Sequence, residues 1–337
     1  MRRIATLGFV LASAVSLVGL AACGDDSDDE AEPTTTTAAE PVAPLTGLPD
    51  PEGTAATRPA LWVKVGNQEG GARPQSGLDA ADIVYEEIAE GGVTRFAAIF
   101  NSVAPPRVGP VRSVRVMDPN LMRQLLGILA YSGGTSANVD AINAVTGLLV
   151  VDETAAGEAM ERSSDRPSPD NLYALPDAMF ALGGEPKPPR PLFEFLGDDE
   201  SFEGDAVQSF VVGFDGPYAV TYSWDEAQGL FMRSYGTDPF VTAEGAQIGA
   251  TNVIVQFITY EGESAGNTIG EGDAWVFSQG KLVEGRWQRA TPDDVTSFVT
   301  AEGETIKITP GRTWIALFPT GETVDVVAPP PPPPPSS

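Results

Sequence analysis

The chain has 337 residues, with 20 Lys and Arg against 47 Asp and Glu, a formal net charge of -27, one cysteine and no histidine. The length suggests about two domains. The charge excludes a nucleic-acid binder, which needs a basic face. The missing histidine excludes Ser-His-Asp and Cys-His catalysis, and zinc centres built on His or Cys, so neither metal nor other cofactor is expected.

Met1-Arg2-Arg3 opens the chain, and Ile4 to Ala22 then runs uncharged and mostly apolar up to Leu20-Ala21-Ala22-Cys23. A basic start, an apolar stretch and small residues form a secretory signal, expected over residues 1–22. Cys23 after Leu-Ala-Ala is similar to the bacterial lipoprotein processing box. That resemblance implies cleavage before Cys23 and a diacylglycerol on its sulfur, and further acylation makes the anchoring stable. The alternative is an uncleaved membrane helix. With its one thiol lipidated, the mature chain has no disulfide. Residues 23–44 carry seven acids and a Thr34–Thr37 run and are expected to form a solvated tether. The rest of the chain stays acidic, which disfavours anionic surfaces.

Residues 45–187 predict an N-terminal mixed α/β domain. Strands are expected at Ala60–Val65, Asp82–Glu87, Thr94–Phe100, Ile128–Tyr131 and Leu148–Val151, each short, apolar or aromatic, and bounded by turn formers. Helices are expected from Asp118, as an N-cap followed by Pro119, from Ser136 to Val145, and from Pro176 to Leu182. Proline-rich residues 188–204 read as a linker. Residues 205–327 predict a mainly antiparallel β domain, giving an α+β or α/β chain. Its expected strands are Phe210–Val212, Tyr218–Trp224, Thr251–Thr259, Ala274–Phe277, Leu282–Trp287, Thr305–Ile308 and Thr313–Phe318, with a short helix from Thr291. Residues 328–337 form a polyproline tail, either a spacer or a recognition segment.

Three segments could carry chemistry. Ser132-Gly133-Gly134-Thr135-Ser136 joins a strand to a helix N-terminus, which suits an anion, although a capped tight turn explains it too. Arg107, Arg112, Ser113 and Arg115 lie in an Arg-rich run, and nine Arg fall between Arg58 and Arg166. In an acidic protein these are either paired with Glu86, Glu87 and Glu90 or held for an anion. An extended run would send Arg112 and Arg115 to opposite faces. The third segment is Glu161–Tyr173, with Arg162, Arg166, Asn171 and Tyr173. Asp165 and Asp170 are its candidate acid/base pair.

Several ordered motifs resemble the YerB-like lipoproteins: Pro44–Leu48, Arg73–Gly77, Ala81–Glu86, Glu90–Phe96, Val108–Arg115 and Pro169–Tyr173, then Ala274–Phe277, Glu284–Trp287 and Gly311–Ile315. The resemblance implies architecture and location but no reaction. It also implies histidines where this chain has Asp170 and Tyr131. The expected protein sits on the extracytoplasmic face of a bacterial membrane, anchored through Cys23. There it binds an envelope ligand, expected to be anionic, or a protein partner through an Arg/Ser/Gly-lined cleft. The alternatives are a hydrolase or transferase of wall glycan or phosphodiester using Asp165 and Asp170, and a structural assembly factor.

Overall fold

The computed structural model describes residues 40–183 and 187–331. Cys23, the apolar leader, most of the tether and the last prolines lie outside the described residues. The five expected N-terminal strands form: β1 (Leu61–Gly66), β2 (Ile83–Ile88), β3 (Thr94–Phe100), β4 (Gly127–Ala130) and β5 (Leu148–Val151). The helices are α1 (Asp118–Arg123), α2 (Ser136–Asn143), α3 (Glu153–Ala156) and α4 (Pro176–Leu182). A short ribbon of β6 (Met160–Arg162) and β7 (Leu172–Ala174) precedes α4.

The second half is almost all strand. It runs β8 (Asp205–Ala206), β9 (Ser209–Val212), β10 (Val220–Asp225), β11 (Leu230–Tyr235), β12 (Asp238–Pro239) and β13 (Gly249–Ala250). It continues with β14 (Asn252–Glu261), β15 (Ala265–Asn267), β16 (Gly270–Ser278) and β17 (Lys281–Arg289). It closes with β18 (Ser297–Val299), β19 (Thr313–Pro319) and β20 (Val324–Val327). A mixed α/β segment followed by a mainly antiparallel β segment is therefore the architecture.

Strands of both segments share one twelve-stranded sheet, ordered β18-β17-β16-β14-β19-β2-β3-β1-β4-β5, with β8 and β15 on its margins. The junction is β19, parallel to β14 on one side and to β2 on the other, with Ile315 opposite Ile254 and Tyr85. Both faces of the sheet are covered, so its central strands are buried throughout. One face packs on α3, α4 and a six-stranded sheet, β12-β11-β10-β9-β20 with β13 beside β11. There Phe210 stacks on Phe277 at 3.6 Å, and Trp314 meets Phe96 edge-on at 5.2 Å. The other face packs on α1, α2 and the 192–202 arm.

Four local expectations are corrected. Asp118 is the first helical residue and not the cap; its carboxylate turns inward to Lys64 and the Arg115 amide. Thr135, not Ser136, caps α2 by accepting from the Asn138 amide. No helix starts at Thr291, because Asp294 accepts from both the amide and the hydroxyl of Thr291 and closes a turn. Thr305–Ile308 makes only isolated bridges, to Val299 and Phe195; its alternating Ile306 and Ile308 are buried without a ladder. The arm expected as a linker is docked as well. Leu192 and Phe202 are buried, and Leu196 and Ile308 exchange backbone bonds with their neighbours across the gap.

Candidate functional site

The site forms where the parallel strands β1 and β4 end, the usual place for ligands in such sheets. Residues 111–114 run beside the end of β1, with the Arg112 amide on the Lys64 carbonyl. The same residues pair with the loop after β4: the Ser132 amide donates to the Arg112 carbonyl and the Val114 amide to the Gly133 carbonyl. Gly133 and Gly134 hold φ of +86° and +148°, which side chains resist. A Cβ at Gly133 would also stand 3.1 Å from Ser113 Oγ. Two of the three expected segments thus meet edge to edge, and α2 starts from their junction.

The third segment arrives through Asp170. Its carboxylate receives Arg112 Nη1 at 2.6 Å and presses against Gly71, where any side chain would collide with it. Gly66 has the same role beneath Arg112, whose Cγ would lie 2.8 Å from an added Cβ. Asp170 is thereby an ion-pair partner. Asp165 is exposed and contacts Ser163. The two carboxylates hold different partners in different surroundings.

Other expected residues have partners within the fold. Arg162 forms a fork with exposed Glu153 and donates to Asn171 Oδ1 at 2.7 Å. Arg166 clamps the 71–74 loop through the carbonyls of Gly71, Ala72 and Pro74. Arg107 lies 4.6 Å over the Tyr173 ring. Of the expected carboxylates, Glu90 alone pairs with this Arg run, meeting Arg115 at 2.7 Å. Glu86 and Glu87 serve other cations.

The residue missed by sequence reading is Arg95. It is 5 % exposed, its one bond is a long 3.4 Å contact to the Ser113 carbonyl, and its Nε has no partner. Burial, with the Arg115 and Arg112 guanidiniums beside it, pushes its pKa down to about 10. Arg112 and Arg115 both stand within electrostatic reach of Arg95. The signal lay in Thr94–Phe100, a charged residue inside an otherwise apolar strand. Behind Arg95, Lys64 is buried between Glu87 and Asp118, with Asp118 Oδ1 at 2.7 Å. Three crowded guanidiniums, a Ser hydroxyl, a Gly turn and a helix N-terminus make an arrangement that can hold an anion.

These features define a mixed-sheet scaffold with a cationic cluster and, among the described residues, no recognisable reaction centre. Residues 45–185 match the model described as "Protein of unknown function (DUF3048) N-terminal domain", and residues 210–315 match its C-terminal domain, so the chain belongs to that family. It is 28 % identical over 295 residues to a protein of Bacillus subtilis (strain 168) named "Putative lipoprotein YerB". That match covers 82 % of this chain and 86 % of YerB. The crystal structure of Bacillus subtilis YerB superposes with a TM-score of 0.75 at 25 % identity, covering 86 % of this chain and all of the other.

Proposed function

We propose that the protein is a lipid-anchored envelope protein that binds an anionic ligand at Arg95, Arg112 and Arg115, beside Ser113 and the 132–135 turn. The observation that carries this reading is Arg95. A buried guanidinium with no carboxylate in salt-bridge contact, Glu87 and Glu90 acting on it only at longer range, and crowded by two other guanidiniums, is unfavourable on its own and is relieved by an anion. Arg112 would meet the ligand first, with α2 contributing its N-terminal dipole.

Isothermal titration with wall fragments bearing phosphate or carboxylate tests the reading. Arg112→Ala should weaken binding about tenfold or more, since a charge-assisted hydrogen bond contributes about 1.5–3 kcal/mol. Affinity should also fall with added salt. No turnover of those fragments is expected; turnover that Asp170→Asn abolishes would favour the hydrolase instead. Unchanged affinity in Arg112→Ala and Arg115→Ala would remove the proposal.

The anchor has its own test. Cys23→Ser should accumulate uncleaved precursor and lose all incorporation of a fatty-acid probe, because the thiol is the acylation site implied by Leu20–Cys23. Label persisting on the Ser variant contradicts it.

A further inference from the structure

On the opposite side of the 67–75 loop a second cavity of about 560 Å³ opens towards the small sheet. Its walls are Pro74, Pro217, Pro239, Phe240 and Val241. At its base lies Arg73, whose guanidinium stacks on the Tyr235 ring at 3.7 Å and stands 5.0 Å from Tyr218. Asn67 fixes the Nε end by accepting at its backbone oxygen (3.2 Å) and at Oδ1 (3.0 Å). Nη2 is buried and without a partner. The fork is thus held rigid by an aromatic plane and an amide, with its far end unsatisfied. Exposed Glu69 and Asp238 stand on the lining of the same cavity.

A preoriented guanidinium matches a carboxylate, and with Nε held by Asn67 and Nη2 buried Arg73 offers it Nη1. Proline and aromatic walls match an apolar body, and the two acids match an ammonium. We propose that this cavity binds a short peptide with free ends: its C-terminal carboxylate on Arg73, its apolar residues against the prolines, and its amino group beside Glu69 and Asp238. The volume lies within the range of small-molecule sites, about 300–1,000 Å³, and capture of a terminal carboxylate is a known recognition mode. None of Arg95, Arg112 and Arg115 lines this cavity.

The test incubates the immobilised full-length protein with a pool of tripeptides with free termini, and with the same pool amidated at the C-terminus. Mass spectrometry reads the retained peptides. The free acids should be retained and the amides held about tenfold less well, one lost charge-assisted hydrogen bond. Arg73→Gln should lose binding of the best peptide about tenfold or more, whereas Arg286→Gln, on β17 and outside the cavity lining, should leave it unchanged. Should Arg73→Gln not fold, the Glu69→Gln, Asp238→Asn double variant replaces it, and should weaken free-amine peptides but not their N-acetyl forms. Retention of no tripeptide, equal retention of acid and amide, or wild-type binding by folded Arg73→Gln would overturn the proposal. Propionate binding as tightly as the best peptide would equally overturn a peptide as the occupant.

Discussion

Replacement of Arg233 by alanine is expected to cost about 3–5 kcal/mol of stability, the usual penalty for breaking a buried pair from one side. Arg233 on β11 is fully buried and reaches across the inter-sheet core to Glu86 on β2, with Nη1 2.9 Å and Nη2 3.1 Å from the carboxylate oxygens. The same guanidinium donates to the hydroxyls of Tyr222 and Tyr235 and lies 4.5 Å over the Trp314 ring. Glu86 in turn accepts from Thr94 and from the Trp314 indole. Removing the guanidinium leaves a carboxylate in a dry aromatic box and opens a cavity between the sheets. Urea unfolding measures the loss. A change below about 1 kcal/mol, the scale of a surface pair, would show that the two sheets do not depend on this bridge.

Stability should decline as pH rises from about 5 to 8, and Glu87→Gln should flatten that decline. Burial, with Asp118 nearby, pushes Glu87 up to about 7 against the pull of Lys64. Its Oε2 has no partner. In the unfolded chain the carboxyl gives up its proton near its ordinary value, so between the two values the folded state binds more protons. Its contribution is full at acid pH and is lost as pH rises through about 7. One ammonium serves two carboxylates here, with Arg95 and Tyr260 as the other polar neighbours. The neutral Gln keeps an acceptor for Lys64 and leaves a matched Lys64–Asp118 pair. At pH 8 it should therefore be more stable than the parent by about 2–3 kcal/mol, the free energy of ionising a carboxyl that the fold holds protonated well above its ordinary range. Lys64→Met should do the reverse, losing about 3–5 kcal/mol because both acids then face each other uncompensated. Denaturant unfolding from pH 5 to 8 reads all three proteins. Parallel curves for the parent and Glu87→Gln would refute the assignment.

Local pattern carried far in this sequence. β1 to β5 and α4 follow from apolar runs with turn residues at their ends, because those signals act within a few residues. β11 was not legible: Leu230–Tyr235 places a fully buried Arg233 where an apolar residue is expected. Thr291-Pro-Asp-Asp imitates a helix start, since the same side-chain acceptor closes a turn as readily as it caps a helix. The site was half legible. Arg112, Ser113 and the Ser132–Thr135 turn were identifiable from composition and position. Arg95, Lys64 and Asp118 acquire meaning only from register and sheet order, and Arg73 only from a tyrosine on the other sheet. Cross-strand partners are set by tertiary topology, which no local window contains.

The position of β19 has a consequence for the order of assembly. Among the described residues its neighbours β2 and β14 are joined in the sheet only through it, yet it comes last in sequence of that sheet's strands. As the polypeptide emerges from its N-terminus, β1 to β5 precede β19 with β2 as an open edge, and β14 to β18 precede it with an open edge at β14. Neither edge is satisfied until residue 319 is free to thread between them in parallel with both. Such distant pairing is intrinsically slow. Closure of the large sheet therefore waits for β19, which follows every other strand of that sheet in sequence. The same arrangement makes shortening from the C-terminal side abrupt. Loss of the last turns beyond Pro319 trims the small sheet, while loss of seven more residues, Thr313–Pro319, splits the large one along its middle.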